Sequence, residues 1–162
     1  MRKLSLYLLI VFFTLPLSYA QLPPASFYHL KRDEDVLSSS YVCLEQDEFG
    51  FIWFGSFHGG GLYRYDGYEL KSFVIDPADL NNSLVSNRIN SVYAPGDNNL
   101  YISTHGGWNK LDLTTGDFQA FAYDHQTNPE EGSFYTNKII KDSSQRLWIA
   151  SYYGLSMMES WQ

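Results

Sequence analysis

The sequence predicts an all-β chain, and three observations carry that expectation. Aromatic residues are dense, with 13 Tyr, 11 Phe and 4 Trp among 162 residues, and they gather in short runs bounded by Gly, Asn, Asp and Pro. Runs of that kind read as strands joined by turns. No stretch beyond residue 20 carries the periodicity of an amphipathic helix. Finally, a phrase recurs: DEFGFIWFGS at residues 47–56 is echoed by DSSQRLWIAS at residues 142–151, and PGDNNLYIST stands between them with Tyr101 in the place of Trp. The central aromatics Trp53, Tyr101 and Trp148 recur at a spacing within the roughly 40–50 residues of a propeller-blade repeat. The expected architecture is therefore a partial β-propeller of about two and a half four-stranded antiparallel blades, not closed.

Residues 1–20 stand apart from this pattern. Arg2 and Lys3 precede an apolar run over residues 4–17, and small residues follow at Ser18 and Ala20. That is the layout of a secretory signal peptide, with cleavage expected after Ala20. The run is short of the roughly 20 residues that span a bilayer, and Pro16 interrupts its end. Gln21 stands where a lipoprotein would need a Cys. The mature part is expected to be exported and periplasmic, with no membrane contact after cleavage. The formal charge of the whole chain is −7, and cleavage removes two basic residues and no acidic one. An acidic exported domain is a poor partner for nucleic acid, whose phosphates need Lys and Arg. Cys43 is the only cysteine, so no internal disulfide forms within the chain.

Residues 21–36 read as a lead-in segment. The first blade repeat is placed at residues 37–83, the second at 84–132, and an incomplete third at 133–162. In each, an apolar residue (Leu44, Val92, Ile139) precedes the central aromatic, and a Gly-rich turn follows it. Asp47 to Gly50 is read as a tight turn between the first two strands. The Asp side chain can accept from backbone N–H groups two residues on, and Gly50 tolerates positive φ. Trp53 is expected to fill the space between neighbouring sheets, with the tiny residue after it (Gly55, Ser103, Ala150) letting the next layer approach. Asp47, Gly50, Trp53, Gly55, Tyr101, Asp142 and Trp148 are thus assigned structural roles within the repeat. Two and a half blades cannot close a ring, so the open faces invite further blades or other copies of the chain.

Chemistry-bearing residues are few. The histidines His29, His58, His105 and His125 form no His-x-His or His-x-x-x-His pair, so neither a metal nor a cofactor is expected. His58 and His105 fall at nearly equivalent loop positions after the second strand of their blades, with Tyr152 near the same place in the third. Such loops can meet a ligand or simply be solvated. Cys43 reads as a small packed residue of the first strand. The run Asp33-Glu34-Asp35 reads as a solvated loop. Tyr63, Tyr65 and Tyr68 offer rings for stacking on sugars, against the alternative of packing between blades. No catalytic residues are assigned.

The segments FYHLKRDEDVLSSSYVCLEQDEFGFIWFGS and GGGLYRYDGYELKSF resemble the start of a two-component regulator propeller, the sensor region of hybrid two-component proteins common in Bacteroidetes. Phe27, His29 and Leu30 match the opening of that family, and residues 27–159 are covered by the likeness. The second repeat departs from it, with Pro95 for the turn Asp and Tyr101 for Trp. The resemblance implies an extracytoplasmic, non-catalytic sensing propeller with a glycan-type, oligosaccharide ligand. The family's kinase and receiver motifs are not in the chain, and because two and a half blades cannot close a ring the chain is expected to be the N-terminal fragment of a longer sensor. Two other readings stand beside this one: a stand-alone exported scaffold that oligomerises, and a propeller lyase or glycosidase fragment.

Overall fold

The computed structural model describes Ser26, residues 40–122 and residues 135–159. Apart from Ser26, these lie in the compact unit Arg32–Gln162. The leader, the Phe27-His29-Leu30 opening, the Asp33-Glu34-Asp35 run and His125 fall outside the described residues.

Three antiparallel sheets follow one another along the chain. The first contains β1 (Tyr41–Gln46), β2 (Ile52–Ser56), β3 (Leu62–Tyr65) and β4 (Leu70–Phe73) in that order. The second contains β5 (Ile89–Tyr93), β6 (Asn99–Thr104), β7 (Gly107–Asp112) and β8 (Phe118–Ala122), again in order. The third contains β9 (Thr136–Lys141), β10 (Leu147–Ser151) and β11 (Gly154–Met158), with β10 in the middle. One short 3₁₀ turn, Leu80–Asn82, lies in the joint between the first two sheets. The row of sheets is not closed into a ring.

Side-chain alternation gives every sheet two faces with different tasks. Trp53 and Gly55 on β2 point toward the second sheet, where Trp53 packs with Leu62, Leu84, Ile89, Val92, Leu100, Ile102 and Leu111. A Cβ on Gly55 would lie 2.6 Å from the Ile89 Cβ and 2.9 Å from the Cys43 sulfur, so only Gly lets the two sheets approach this closely. Cys43 is packed there, and burial pushes its thiol up to about 11. One sheet further on, Tyr101 and Trp108 pack with Ile139 and Leu147 of the third sheet. The β5 strand lies against β1 and β2, and β9 lies against β5 and β6.

The outward faces of the first and third sheets are uncovered among the described residues. Val92 and Ile139 are buried, but their repeat partner Leu44 is 68% exposed, because no described sheet lies on its side of β1. Ile140, Leu155 and Met157 are exposed on the third sheet. The second sheet, covered on both sides, exposes no large apolar side chain on any of its four strands. Tyr63, for which the sequence left sugar stacking and packing side by side, is packed and only 5% exposed. Its ring stacks on Phe54 at 5.5 Å and meets Tyr41 edge-on at 5.6 Å. Tyr65 is half-buried, its hydroxyl donating to the Gly67 carbonyl at 2.7 Å. Tyr68 is 95% exposed at a turn and packs between no sheets.

Candidate functional site

The two ends of the sheets differ in chemistry. At one end lie the turns between first and second strands. Asp47 accepts from the N–H groups of Phe49 at 3.0 Å and Phe51 at 2.9 Å, and from the Trp53 indole N–H at 2.7 Å. Gly50 closes the turn with φ +88°, its N–H donating to the Asp47 carbonyl at 3.0 Å. Asp142 repeats the arrangement, accepting from Ser144 N–H at 2.8 Å, Arg146 N–H at 3.0 Å and the Trp148 indole at 2.9 Å. The Trp148 hydrogen bond, with help from Arg146, holds the Asp142 carboxyl at about 2. Both Asp carboxylates are spent on backbone N–H groups of their own turn and on their own indole, which gives this end a structural role.

The opposite end carries a rim built from two repeated positions. The residue after each second strand donates its N–H to the carbonyl of the residue before the first strand of the same sheet. Phe57 donates to Ser40 at 3.1 Å, His105 to Arg88 at 3.0 Å and Tyr152 to Tyr135 at 3.1 Å. The repeat therefore aligns Phe57, not His58, with His105 and Tyr152. His58 lies one residue further along an exposed turn.

Across the seams these positions touch. The Arg88 guanidinium of the second sheet lies 5.2 Å from the Phe57 ring centre, and its Nε donates to the Phe57 carbonyl at 3.3 Å. The His105 ring meets Tyr135 of the third sheet edge-on at 3.7 Å. Tyr135 meets Tyr152 at 6.2 Å, and Tyr152 meets Tyr153 at 5.2 Å. His58 joins through its neighbour Phe57, ring centres 5.6 Å apart. Burial, and then the Arg88 charge, hold the His105 imidazole below its ordinary value.

Arg88 and Tyr135 were not singled out by sequence reasoning. The usable signal was the repeat itself. Both stand at the same offset before their central aromatics, a position where the first repeat has Ser40. Among the described residues no group of three or more His, Cys, Asp and Glu is arranged to hold a metal ion.

A row of two four-stranded sheets and one of three strands, with the Asp-to-Trp turn of the first and third at one end and an aromatic–histidine rim at the other, is a propeller segment. No family model matches the chain, and no curated protein matches it. Solved structures do. An extracellular domain assigned to a hybrid two-component system of B. thetaiotaomicron matches with TM-score 0.66 and 23% identity, over 75% of this chain and 17% of that one. The extracellular domain of a second B. thetaiotaomicron system, described in one structure as one-component and in another as hybrid two-component, matches at 25% and 28% identity. Those TM-scores are 0.57 and 0.54, over 74% of this chain and 16% of those. Virginiamycin B lyase from Staphylococcus aureus matches with TM-score 0.52 at 16% identity, over 76% of this chain and 42% of that one, a likeness of fold alone. The chain thus spans only a small part of the B. thetaiotaomicron chains it matches. Extracellular domains of Bacteroides hybrid two-component systems are what it is similar to, in agreement with the resemblance written in its repeats.

Proposed function

We propose that this chain is part of an exported ligand-sensing propeller that reads an oligosaccharide on the rim of His58, His105 and Tyr152 and does no catalysis itself. The observation that carries the reading is the likeness to extracellular domains of two-component systems, 25% and 28% identical over nearly three quarters of the chain. Export is supported by the leader-like residues 1–20 and by the extracellular nature of those domains. No helix among the described residues is long and apolar enough to cross a membrane. Exposed rings such as Tyr152 and Tyr153 suit the apolar face of a sugar ring.

The exposed Leu44 and Val42 on one side, and Leu155, Met157 and Ile140 on the other, are the surfaces on which further blades would pack. In this reading those blades belong to a longer chain, and signalling is a property of that chain. Reading the coding DNA past Gln162 tests this part. A frame that continues into further Trp-containing repeats supports it, and a discrete homo-oligomer of the purified full chain would favour self-assembly instead. The binding role is tested by titrating oligosaccharides into the full chain and following tryptophan fluorescence. His105→Ala and Tyr152→Ala should each weaken binding without changing the unfolding midpoint by more than a few degrees. An unaltered affinity in both variants would remove the rim from the ligand site.

A further inference from the structure

Arg88 places a guanidinium on the rim that joins no ion pair with a described residue. Among the described residues the ion pairs are Lys141 with Asp97 and Arg146 with Asp142, both at the other end of the sheets. Arg88 takes part in neither. Its Nε is committed to the Phe57 carbonyl and its guanidinium plane is braced on the Phe57 ring. Neither terminal nitrogen is hydrogen-bonded to a described residue, and the residue is exposed. The carboxylates of the joint before Arg88 are turned onto their own loop: Asp76 accepts from Ala78 N–H at 2.9 Å and Asp79 from Asn82 N–H at 3.2 Å. Arg88 therefore offers an exposed guanidinium that is held in place by Phe57 yet forms no ion pair with a described residue. A braced guanidinium has lost much of its conformational freedom and retains its paired N–H donors for a planar or tetrahedral oxyanion. His105, bonded through its backbone to Arg88, lies within reach of its charge, and Tyr135 and Tyr152 continue the surface as aromatic faces.

We infer that the rim takes an acidic sugar, its carboxylate or sulfate on Arg88 with His105 alongside, and its ring against Tyr135 and Tyr152. The inference rests on the glycan-sensing reading above and narrows it. Uronate and sulfate present the same chemistry to a guanidinium, so the two sources are separated by experiment.

The test applies the purified full chain to immobilised neutral, uronate-bearing and sulfate-bearing glycans, then measures affinity for the strongest binder by titration. The expected result is an acidic strongest binder whose affinity falls roughly tenfold or more in Arg88→Gln, as loss of a charge-assisted pair requires. Arg88→Lys should keep part of that affinity, and added salt should weaken the wild type more than Arg88→Gln. Whether the binder carries carboxylate or sulfate identifies the source of the charge. Arg88 is exposed, so circular dichroism of Arg88→Gln should match the wild type, and Arg88→Lys serves as the second variant if it does not. A neutral strongest binder, or an affinity unchanged in Arg88→Gln, overturns the acidic-sugar inference while leaving glycan sensing in place. Binding to no glycan at all overturns both.

Discussion

Trp53 and Trp148 make the same local structure and meet different fates. Each donates its indole N–H to the Asp six residues earlier, at 2.7 Å and 2.9 Å, and each sits on the second strand of its sheet. Trp53 is 1% exposed because the second sheet closes over it, whereas Trp148 is half-buried and faces no described sheet. The intervening repeat solves the problem by other means. Pro95 stands at the turn and Tyr101 on the strand, and neighbours on both sides hold the turn in place. Glu48 from the first sheet's turn accepts from the Asn98 N–H, and Lys141 from the third sheet pairs with Asp97. The Lys141 ammonium also lies 5.5 Å from the Tyr101 ring centre. The contrast separates a motif that holds itself together from one that depends on its neighbours.

The largest effect expected is at Trp53. Trp53→Ala should cost about 3–5 kcal/mol in urea unfolding, because a buried indole is replaced by a cavity between two sheets. Trp148→Ala should cost roughly half of that or less, since its far side is already open. Equal costs would mean that the first seam contributes nothing beyond the local turn.

Asp47→Ala removes an acceptor from two backbone N–H groups and a buried indole. It should cost about 2–3 kcal/mol by the same measurement. The matching change at Asp142 should cost less, as its donors can turn to water. Gly55→Ala drives a methyl group into Ile89 and Cys43 and should cost about 1–3 kcal/mol. Comparing its unfolding with that of Ala150→Ser, at the repeat position facing no sheet, isolates the seam.

Acid sharpens the comparison further. The Asp142 carboxyl sits at about 2 in the fold against an ordinary 3.8. A lowered folded value means that its stabilisation is fully present above the ordinary value and is lost as pH falls from about 4 toward 2. Asp142→Asn should flatten that part of a stability-against-pH curve, and an unchanged curve would count against the turn as its source. The smallest effect is expected at Ser103. Its hydroxyl is buried without a hydrogen-bond partner, as are those of Ser91 and Thr136, so Ser103→Ala should lie within ~0.5 kcal/mol of the wild type or be slightly more stable.

Much of the fold was legible because it is local. Alternation, Gly-bounded runs and the Asp-to-Trp phrase each reflect chemistry completed within a few residues, and the strands fall where those runs lie. The rim was less legible. His105 and Tyr152 share a repeat position, but His58 is displaced by one residue from it, and Arg88 and Tyr135 stand at the ends of polar joints that read as connections between repeats. Which aromatic meets which basic group depends on two sheets coming together, and no spacing within one sheet encodes that. Tyr63 was left between stacking and packing by the sequence, and its contacts with Phe54 and Tyr41 decide for packing.

The sequence by itself determined the self-contained parts: the period of the repeat, the strands, and the turns in which Asp47 and Asp142 satisfy their own backbone and their own Trp. It could do so because all partners lie within six residues of one another. Only the tertiary structure decided that Trp53 is buried and Trp148 is not, and that the second turn is held by Glu48 and Lys141. It alone also left Arg88 braced and unpaired beside His105. Those outcomes depend on which sheet lies against which, and contacts between residues some 30 to 50 positions apart form only when the sheets pack.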